Sequence, residues 1–220
     1  PISIEELGAV ALVCINNPPV NATGLAVRQG LQQAIEVLNS EGVVQAIGIY
    51  AAGRTFVAGA DIREFGKPPM PPALPDVFNV IEDSAIPVVA VMHGTALGGG
   101  FELGLSCHAR VGIEGLKIGL PEINLGLLPG AGGTQRVPRL AGIPMALDMA
   151  LSGRQVAAKE ALEKGLIDRL VVGDPREVAL KAAQDVVAGA LVTRRTCDLV
   201  TPKDDKALND TAEMLKKTQA

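Results

Sequence analysis

The amino-acid sequence predicts an α/β fold in which most strands pair in parallel. Short apolar segments of strand length recur along the chain, for example Val10–Ile15 and Pro87–Met92. Segments with apolar residues at three- and four-residue spacing, typical of amphipathic helices, lie between them. Short turns rich in glycine and proline join the two kinds of segment. Strands that alternate with helices in this way favour a mainly parallel sheet.

The N-terminal half supplies the clearest elements. The strand Val10–Ile15 ends at Asn16–Asn21, a turn that contains two prolines. Apolar residues at helical spacing then predict a helix, namely Val27, Leu31, Ile35 and Leu38. Val43–Tyr50 predicts a second buried strand. The segment Lys67–Pro75 contains five prolines and predicts a surface loop, because proline removes backbone donors and fixes φ. We expect this loop to lie at the rim of a site.

The middle of the chain predicts a strand, a turn and a helix in succession. A helix over Val77–Asp83 precedes the strand Pro87–Met92. Gly98–Gly100 then turns the chain into a helix over Phe101–Cys107, and Ala109–Gly112 returns to strand.

The C-terminal third is mostly helical. Helices are predicted over Ile143–Leu151 and Ala157–Lys164, and the second ends at a glycine in the C-cap region. Asp174 has the pattern of an N-cap followed by a proline at the first helical position. Asp204–Lys217 predicts a charged amphipathic helix. We expect residues 1–195 to form one core and residues 196–220 to form a truncated C-terminal helical segment.

Composition excludes several classes of function. The net charge is −4 and aromatic residues make up 2%, which disfavours a nucleic-acid-binding face. Three cysteines and two histidines in no ligand spacing predict neither a disulfide framework nor a metal site. No apolar stretch reaches the roughly 18 residues of a membrane span, and no signal peptide is visible. These features predict a cytoplasmic protein.

Glu102 follows three consecutive glycines that join a predicted strand to a predicted helix. Such glycines let another group approach the backbone closely, and the N-terminus of a helix favours developing negative charge. Burial of Glu102 among apolar neighbours would raise its pKa towards values useful for acid–base catalysis. A partly exposed glutamate that favours the helix N-terminus is the alternative interpretation.

Glu122 and Asp61 have simple structural explanations as well. Glu122 follows Pro121, an ordinary pattern at the start of a helix. Asp61 fits an N-cap, while the N–H of Ala60 before it could donate to an oxyanion. Gly130–Gln135 lacks both the dinucleotide-binding and the P-loop pattern, and Gly104–His108 lacks the pattern of a nucleophile elbow.

Taken together, the glycine-containing motifs resemble the crotonase, or enoyl-CoA hydratase/isomerase, family. They occur in a fixed order: Phe56–Asp61, Ala96–Leu103, Gly119–Ile123, Leu128–Arg136, Ser152–Arg154 and Glu160–Asp168. The resemblance runs from about Asn17 to Val171. The segments Arg63–Pro69, His93–Leu97 and Cys107–His108 are most similar to the hydratase half of multifunctional fatty-acid β-oxidation enzymes.

The resemblance implies a crotonase-like spiral of ββα units with a helical C-terminal region. It implies that Glu102 and Glu122 form an acid–base pair, and that the backbone N–H groups of Ala60 and Gly99 form an oxyanion hole. The implied reaction is addition of water to a trans-2-enoyl-CoA, giving a 3-hydroxyacyl-CoA in fatty-acid β-oxidation.

The resemblance also implies a set of substrate-binding residues. Ala58 would contact the adenine end of coenzyme A through its backbone, and Arg63 would pair with a phosphate, which suits a guanidinium. The other members of this set are Gly59, Asp61, Gly98, Pro121 and Gly130. No separate cofactor and no metal are implied, because coenzyme A is part of the substrate.

Several alternatives and partners follow from the same resemblance. A Δ3-Δ2-enoyl-CoA isomerase can work with only the carboxylate of Glu122, and a truncated fragment could bind an acyl-CoA without turnover. A hydrolase or peptidase on this fold would need a serine–base pair, which the sequence lacks. Expected partners are an acyl-CoA thioester, a hydroxyacyl-CoA dehydrogenase domain C-terminal to the chain, and further copies of the chain.

Overall fold

The computed structural model describes residues 1–204, 206 and 208–210, and two sheets surrounded by helices form this part of the chain. Its strands are β1 Ile2–Leu7, β2 Val10–Ile15, β3 Ala46–Ala51, β4 Val88–Met92, β5 Thr95–Leu97, β6 Ala109–Ile113, β7 Lys117–Gly119, β8 Gln155–Ala157 and β9 Arg169–Val171. Its α-helices are α1 Leu25–Glu41, α2 Leu74–Glu82, α3 Gly99–Ser106, α4 Gly133–Ala141, α5 Ile143–Ser152, α6 Ala158–Glu163 and α7 Pro175–Val187.

The larger sheet has the strand order β1-β2-β3-β4-β6-β9. Only the pair β1 and β2 is antiparallel, and the other neighbours run parallel. The register places Val10 opposite Ala46 and Val89 opposite Ala109. This arrangement confirms the predicted α/β class with mainly parallel pairing.

The smaller sheet, β5-β7-β8, lies where the predicted catalytic segments meet. An isolated parallel bridge joins Val57 to Ala96 of β5, so the segment that leads to Ala60 runs beside this sheet. Helix α3 begins two residues after β5 ends, and β7 leads into Pro121 and Glu122. Three sequence-distant segments therefore converge at one end of the small sheet.

Helix α1 packs on the large sheet through the face that the sequence predicts. Val27, Leu31, Ile35 and Leu38 are at most 1% exposed. Burying each such aliphatic side chain contributes about 1.5–3 kcal/mol relative to leaving it exposed. The prediction of this helix from its apolar spacing is confirmed.

The proline-rich segment ends earlier than predicted. Helix α2 begins at Leu74 and not at Val77, so Pro75 belongs to the helix. Pro75 lies in the first turn, where its missing N–H removes no intrahelical hydrogen bond. Asp76 fixes this helix start, because its Oδ2 accepts a hydrogen bond from the N–H of Ala73 at 3.2 Å.

The predicted N-cap of α7 is confirmed. Oδ1 of Asp174 accepts hydrogen bonds from the N–H groups of Arg176, at 2.9 Å, and Glu177, at 3.2 Å. Asp174→Ala is expected to lower the free energy of unfolding by about 1 kcal/mol, since these donors lose their partner. Urea unfolding would measure the change. Asp174→Asn, which keeps an acceptor, is the control, and equal losses in both variants would contradict the cap assignment.

The C-terminal segment is only partly described. The predicted helix Asp204–Lys217 lies mostly outside the described residues. Thr196 is fully buried and its hydroxyl donates to the carbonyl oxygen of Leu105 at 3.1 Å, so the chain just beyond residue 195 packs on α3. The division at 195/196 stays a prediction. No helix within the described ranges has the length and apolar character needed to cross a membrane.

Candidate active site

Glu102 and Glu122 face a common cavity of about 380 Å³. Glu102 comes from the first turn of α3, and Glu122 comes from the 3₁₀ turn Pro121–Leu125 that follows β7. The turn between Val57 and Asp61 supplies a third wall. The structure thus brings together the three segments that the sequence singled out.

Glu102 is almost completely buried, with 2% of its surface exposed. Its Oε1 accepts two backbone hydrogen bonds, from Ala131 N–H at 2.9 Å and from Gly133 N–H at 2.8 Å. Burial raises the pKa of this carboxyl above its usual range, and the two hydrogen bonds partly offset the increase. The interpretation of Glu102 as a partly exposed residue at a helix start is therefore wrong, because its neighbours in α3 and the 131–133 segment cover it.

Glu122 has a different environment. Its Oε2 is buried and has no hydrogen-bond partner among the described residues. Burial raises the pKa of Glu122 to about 7, and the nearby carboxylate of Glu102 adds to the increase. A carboxyl group with a pKa near neutrality can both accept and release a proton at physiological pH.

Two backbone N–H groups complete the polar part of the cavity. Those of Ala60 and Gly99 donate to no atom of the described chain. They lie close together, because a Cβ placed on Gly99 would be 3.6 Å from the nitrogen of Ala60. Gly99 is the first residue of α3, where the helix dipole adds positive potential. Such a pair can hold an oxygen that becomes negatively charged.

Glycine is required on both sides of Gly99. Gly98 has a φ of +51°, and a Cβ there would lie 2.9 Å from Oε1 of Glu122. A Cβ on Gly100 would lie 2.1 Å from the carbonyl oxygen of Val57, well inside van der Waals contact. The three consecutive glycines thus let α3 approach both the Glu122 turn and the Val57 segment.

The predicted substrate-binding residues divide into two groups. Those that line the cavity are Ala58, Gly59, Gly98, Pro121 and Gly130. Asp61 and Arg63 lie outside the lining. The Arg63 side chain is 79% exposed, and its guanidinium pairs with Asp61 at 2.7 Å. This pairing lowers the pKa of Asp61. Asp61 also caps the 3₁₀ turn Ile62–Glu64, so its predicted role as an N-cap is confirmed.

Apolar side chains form another wall of the cavity, and apart from Leu74, which belongs to the predicted rim segment Lys67–Pro75, the sequence did not reveal them. This wall comprises Ile62, Phe65, Leu74, Leu125, Leu127 and Leu128. Most of these side chains lie in turns or irregular segments, where no periodic pattern marks them as lining residues. The wall suits an apolar chain attached to a group held at the N–H pair.

The residues that hold Glu102 were also missed. Gly130–Gln135 fits no nucleotide-binding pattern, and the family resemblance marks this segment as a motif and Gly130 as a substrate-binding residue without linking either to Glu102. The structure shows that this segment surrounds the Glu102 carboxylate and starts α4. The local signal in the sequence is a cluster of glycines before a helix, which permits another group to approach the backbone closely but does not identify that group.

Comparison with known proteins gives one consistent family. A family model described as Enoyl-CoA hydratase/isomerase matches residues 5–218. The peroxisomal bifunctional enzyme of Danio rerio is 46% identical over 194 residues, covering 88% of this chain and 27% of that protein. A Bacillus subtilis protein named "Probable enoyl-CoA hydratase" is 39% identical over 188 residues, covering 82% of this chain and 72% of its own length.

The similarity extends to solved structures. A crystal structure of enoyl-CoA hydratase from Bacillus anthracis superposes with a TM-score of 0.79 at 32% identity, covering 85% of this chain and 76% of that chain. The chain spans about a quarter of the length of the peroxisomal bifunctional enzymes that it matches.

Proposed function

The chain belongs to the enoyl-CoA hydratase/isomerase family, and from this premise we propose that it hydrates trans-2-enoyl-CoA thioesters. The observation that carries the proposal is the placement of two carboxylates and two unpaired N–H donors around one cavity. The product is a 3-hydroxyacyl-CoA, and relatives named as fatty acid beta-oxidation multifunctional proteins support a role in fatty-acid β-oxidation.

The N–H groups of Ala60 and Gly99 would bind the thioester carbonyl oxygen. When water attacks the β-carbon, the electrons of the double bond move towards this oxygen, and an enolate forms. The two donors stabilise that charge more strongly than they stabilise the neutral carbonyl. Removing one such donor typically costs about 2.7–4 kcal/mol of barrier.

The two carboxylates would hold and activate the water. Glu102 and Glu122 accept the two hydrogens of the water, and Glu122 takes one proton as the oxygen bonds to the β-carbon. The same proton then moves from Glu122 to the α-carbon as the enolate collapses. The hydroxyl ends on the β-carbon and the proton on the α-carbon, so both glutamates return to their starting state.

This assignment predicts a pH dependence of kcat/KM. The pKa of Glu122 is raised from 4.5 to about 7, and only its carboxylate form can accept a proton from water. We expect kcat/KM to rise with pH through an apparent pKa near 7, which belongs to the carboxylate pair jointly. A pH–rate profile with crotonyl-CoA measures this value, and a limb near 4.5 would contradict the assignment.

The free energy of unfolding should fall as pH rises, whereas kcat/KM should increase. Because the folded state raises the pKa of Glu122, it favours the protonated form. The resulting stabilisation is fully present below pH 4.5 and is lost as pH rises through about 7. Unfolding at a series of pH values measures this loss, which Glu122→Gln should reduce. An equal loss in wild type and variant would show that Glu122 does not cause the pH dependence of stability.

The hydratase function also has consequences for cofactors, partners and location. Coenzyme A enters as part of the substrate, and no separate cofactor takes part. The short span relative to bifunctional relatives supports a hydroxyacyl-CoA dehydrogenase domain that follows the hydratase part in the whole protein. Several copies of the chain are expected to associate, and analytical ultracentrifugation would test this. A cytoplasmic location stays a prediction, since several relatives are named peroxisomal.

The first test is the loss of enoyl-thioester absorbance when crotonyl-CoA is added. If the protein is a hydratase, this absorbance decreases and 3-hydroxybutyryl-CoA is formed. A trans-3-enoyl-CoA substrate tests the isomerase alternative, since isomerisation would create the conjugated absorbance without adding water. Saturable binding of crotonyl-CoA without turnover of either substrate would contradict the proposal and identify a binding fragment.

A further inference from the structure

We propose that Arg136 is a positioning residue for Glu102. It joins Glu82 to the carbonyl of Ala131 and thereby fixes the segment whose N–H groups hold the Glu102 carboxylate. The catalytic consequence rests on the proposed hydratase function, whereas the effect on the Glu102 carboxylate does not depend on it.

The Arg136–Glu82 pair is buried between α4 and α2. Nη2 and Nε of Arg136 donate to Oε2 of Glu82 at 2.6 and 3.1 Å, and the two side chains are only 8% and 6% exposed. The other oxygen of Glu82 accepts the N–H of Cys197 at 2.9 Å. Glu82 is therefore held on both oxygens, and it fixes the orientation of the guanidinium.

The third nitrogen of Arg136 reaches the active-site segment. Its Nη1 donates to the carbonyl oxygen of Ala131 at 3.0 Å, while the N–H of Ala131 donates to Glu102 at 2.9 Å. The segment lies against the guanidinium, because a Cβ placed on Gly132 would be 2.1 Å from Nη1. One continuous chain of hydrogen bonds thus leads from Glu82 through Arg136 and Ala131 to Glu102.

A lysine cannot replace this arrangement. An ammonium group could still neutralise Glu82, but it lacks the planar fork that reaches Glu82 and the Ala131 carbonyl together. In Arg136→Lys the carbonyl of Ala131 loses its hydrogen bond to the guanidinium, so the 131–133 segment is no longer held in place. The N–H groups of Ala131 and Gly133 then no longer point towards the Glu102 carboxylate. Misplacement of a catalytic group by about 1 Å can reduce the rate by about 100-fold.

Arg136→Lys is expected to lower kcat for crotonyl-CoA by about 10- to 100-fold with little change in KM. The acidic limb of the pH–rate profile should move to higher pH, since Glu102 loses stabilisation of its charged form. The charged groups around Glu102 in the described chain are Arg136 itself, Glu122 across the cavity and Glu82 behind Arg136. Among these three groups, Arg136→Lys replaces only the side chain of Arg136 and leaves Glu122 and Glu82 in the sequence.

Arg110→Lys is the matched control. Arg110 is also a buried arginine that joins a carboxylate to a backbone carbonyl, with Asp168 at 3.0 Å and the carbonyl oxygen of Cys107 at 2.8 Å. It lies on β6, outside the cavity lining. Its lysine variant should lower Tm and leave kcat and the pH profile unchanged. Equal kinetic behaviour of the two variants, compared where both are folded, would overturn the proposal.

A second measurement separates this proposal from the hydratase function. Titration of carbon-labelled glutamate carboxyls by NMR, with Glu102 assigned from its absence in Glu102→Gln, reports the Glu102 pKa directly. The pKa should rise in Arg136→Lys and stay unchanged in Arg110→Lys. Such a shift in a protein that fails to hydrate crotonyl-CoA would refute the hydratase function and support the positioning role, and an unchanged pKa would overturn the role. If Arg136→Lys does not fold, the double variant Glu82→Gln/Arg136→Gln is titrated in its place, with the same expected direction, because it removes the anchor and leaves the net charge of the pair unchanged.

Discussion

Glu122→Gln is expected to lower kcat for crotonyl-CoA hydration by about 100- to 10,000-fold while leaving the fold intact. The amide has nearly the shape of the carboxyl but cannot take a proton from water or return it to the α-carbon. The fold should survive because Oε2 of Glu122 has no hydrogen-bond partner in the described chain. Steady-state kinetics and circular dichroism measure both effects.

The control for this prediction is Glu163→Gln. Glu163 is an exposed residue of α6 and lies outside the cavity, so the same chemical change should leave kcat unaltered. A Glu122→Gln variant that keeps more than a tenth of the wild-type kcat would show that Glu122 is not the proton carrier.

Gly100→Ala is expected both to displace the N–H groups of Ala60 and Gly99 from each other and to destabilise the fold. The added Cβ would lie 2.1 Å from the carbonyl oxygen of Val57, so α3 and the Val57 segment must separate. That segment leads directly to Ala60, and its displacement moves one donor away from Gly99. We expect kcat/KM to fall by about 100- to 1,000-fold and the free energy of unfolding to fall by about 1–3 kcal/mol.

Gly115→Ala separates the two effects. Gly115 has a φ of +84° in the turn between β6 and β7, and nothing lies within 4 Å of its added Cβ. The left-handed backbone should cost about 1–2 kcal/mol of stability without a change in kcat/KM. If both variants lose stability equally and both keep activity, the contact between Gly100 and Val57 does not set the position of the oxyanion donors.

Much of the fold could be predicted because its elements are encoded locally. The apolar spacing in α1 and the capping pattern at Asp174 are each readable within a few residues, and the structure confirms both. The ordered glycine motifs allowed prediction of the crotonase-like fold, which the similarity to solved enoyl-CoA hydratases confirms. Strands of three residues, such as β5 and β7, were missed because they are too short to show periodicity.

The candidate site was predicted less completely, since it depends on contacts between distant segments. Glu102 and Glu122 were found through their neighbouring glycines. The partners of Glu102 lie about 30 residues away in the chain, at Ala131 and Gly133, and nothing local marks those N–H groups as its donors. The Glu82–Arg136 pair joins positions 54 residues apart, and single-sequence patterns carry no information on such pairings.

The most direct test of the central claim is the isotopic composition of the product. Crotonyl-CoA would be incubated with the protein in water labelled with heavy oxygen and deuterium, and the thioester analysed by mass spectrometry and NMR. The proposed roles of Glu102, Glu122 and the N–H pair predict one heavy oxygen at the β-carbon and one deuterium at the α-carbon. A product with solvent deuterium but no heavy oxygen, or unchanged crotonyl-CoA, would contradict the hydratase account.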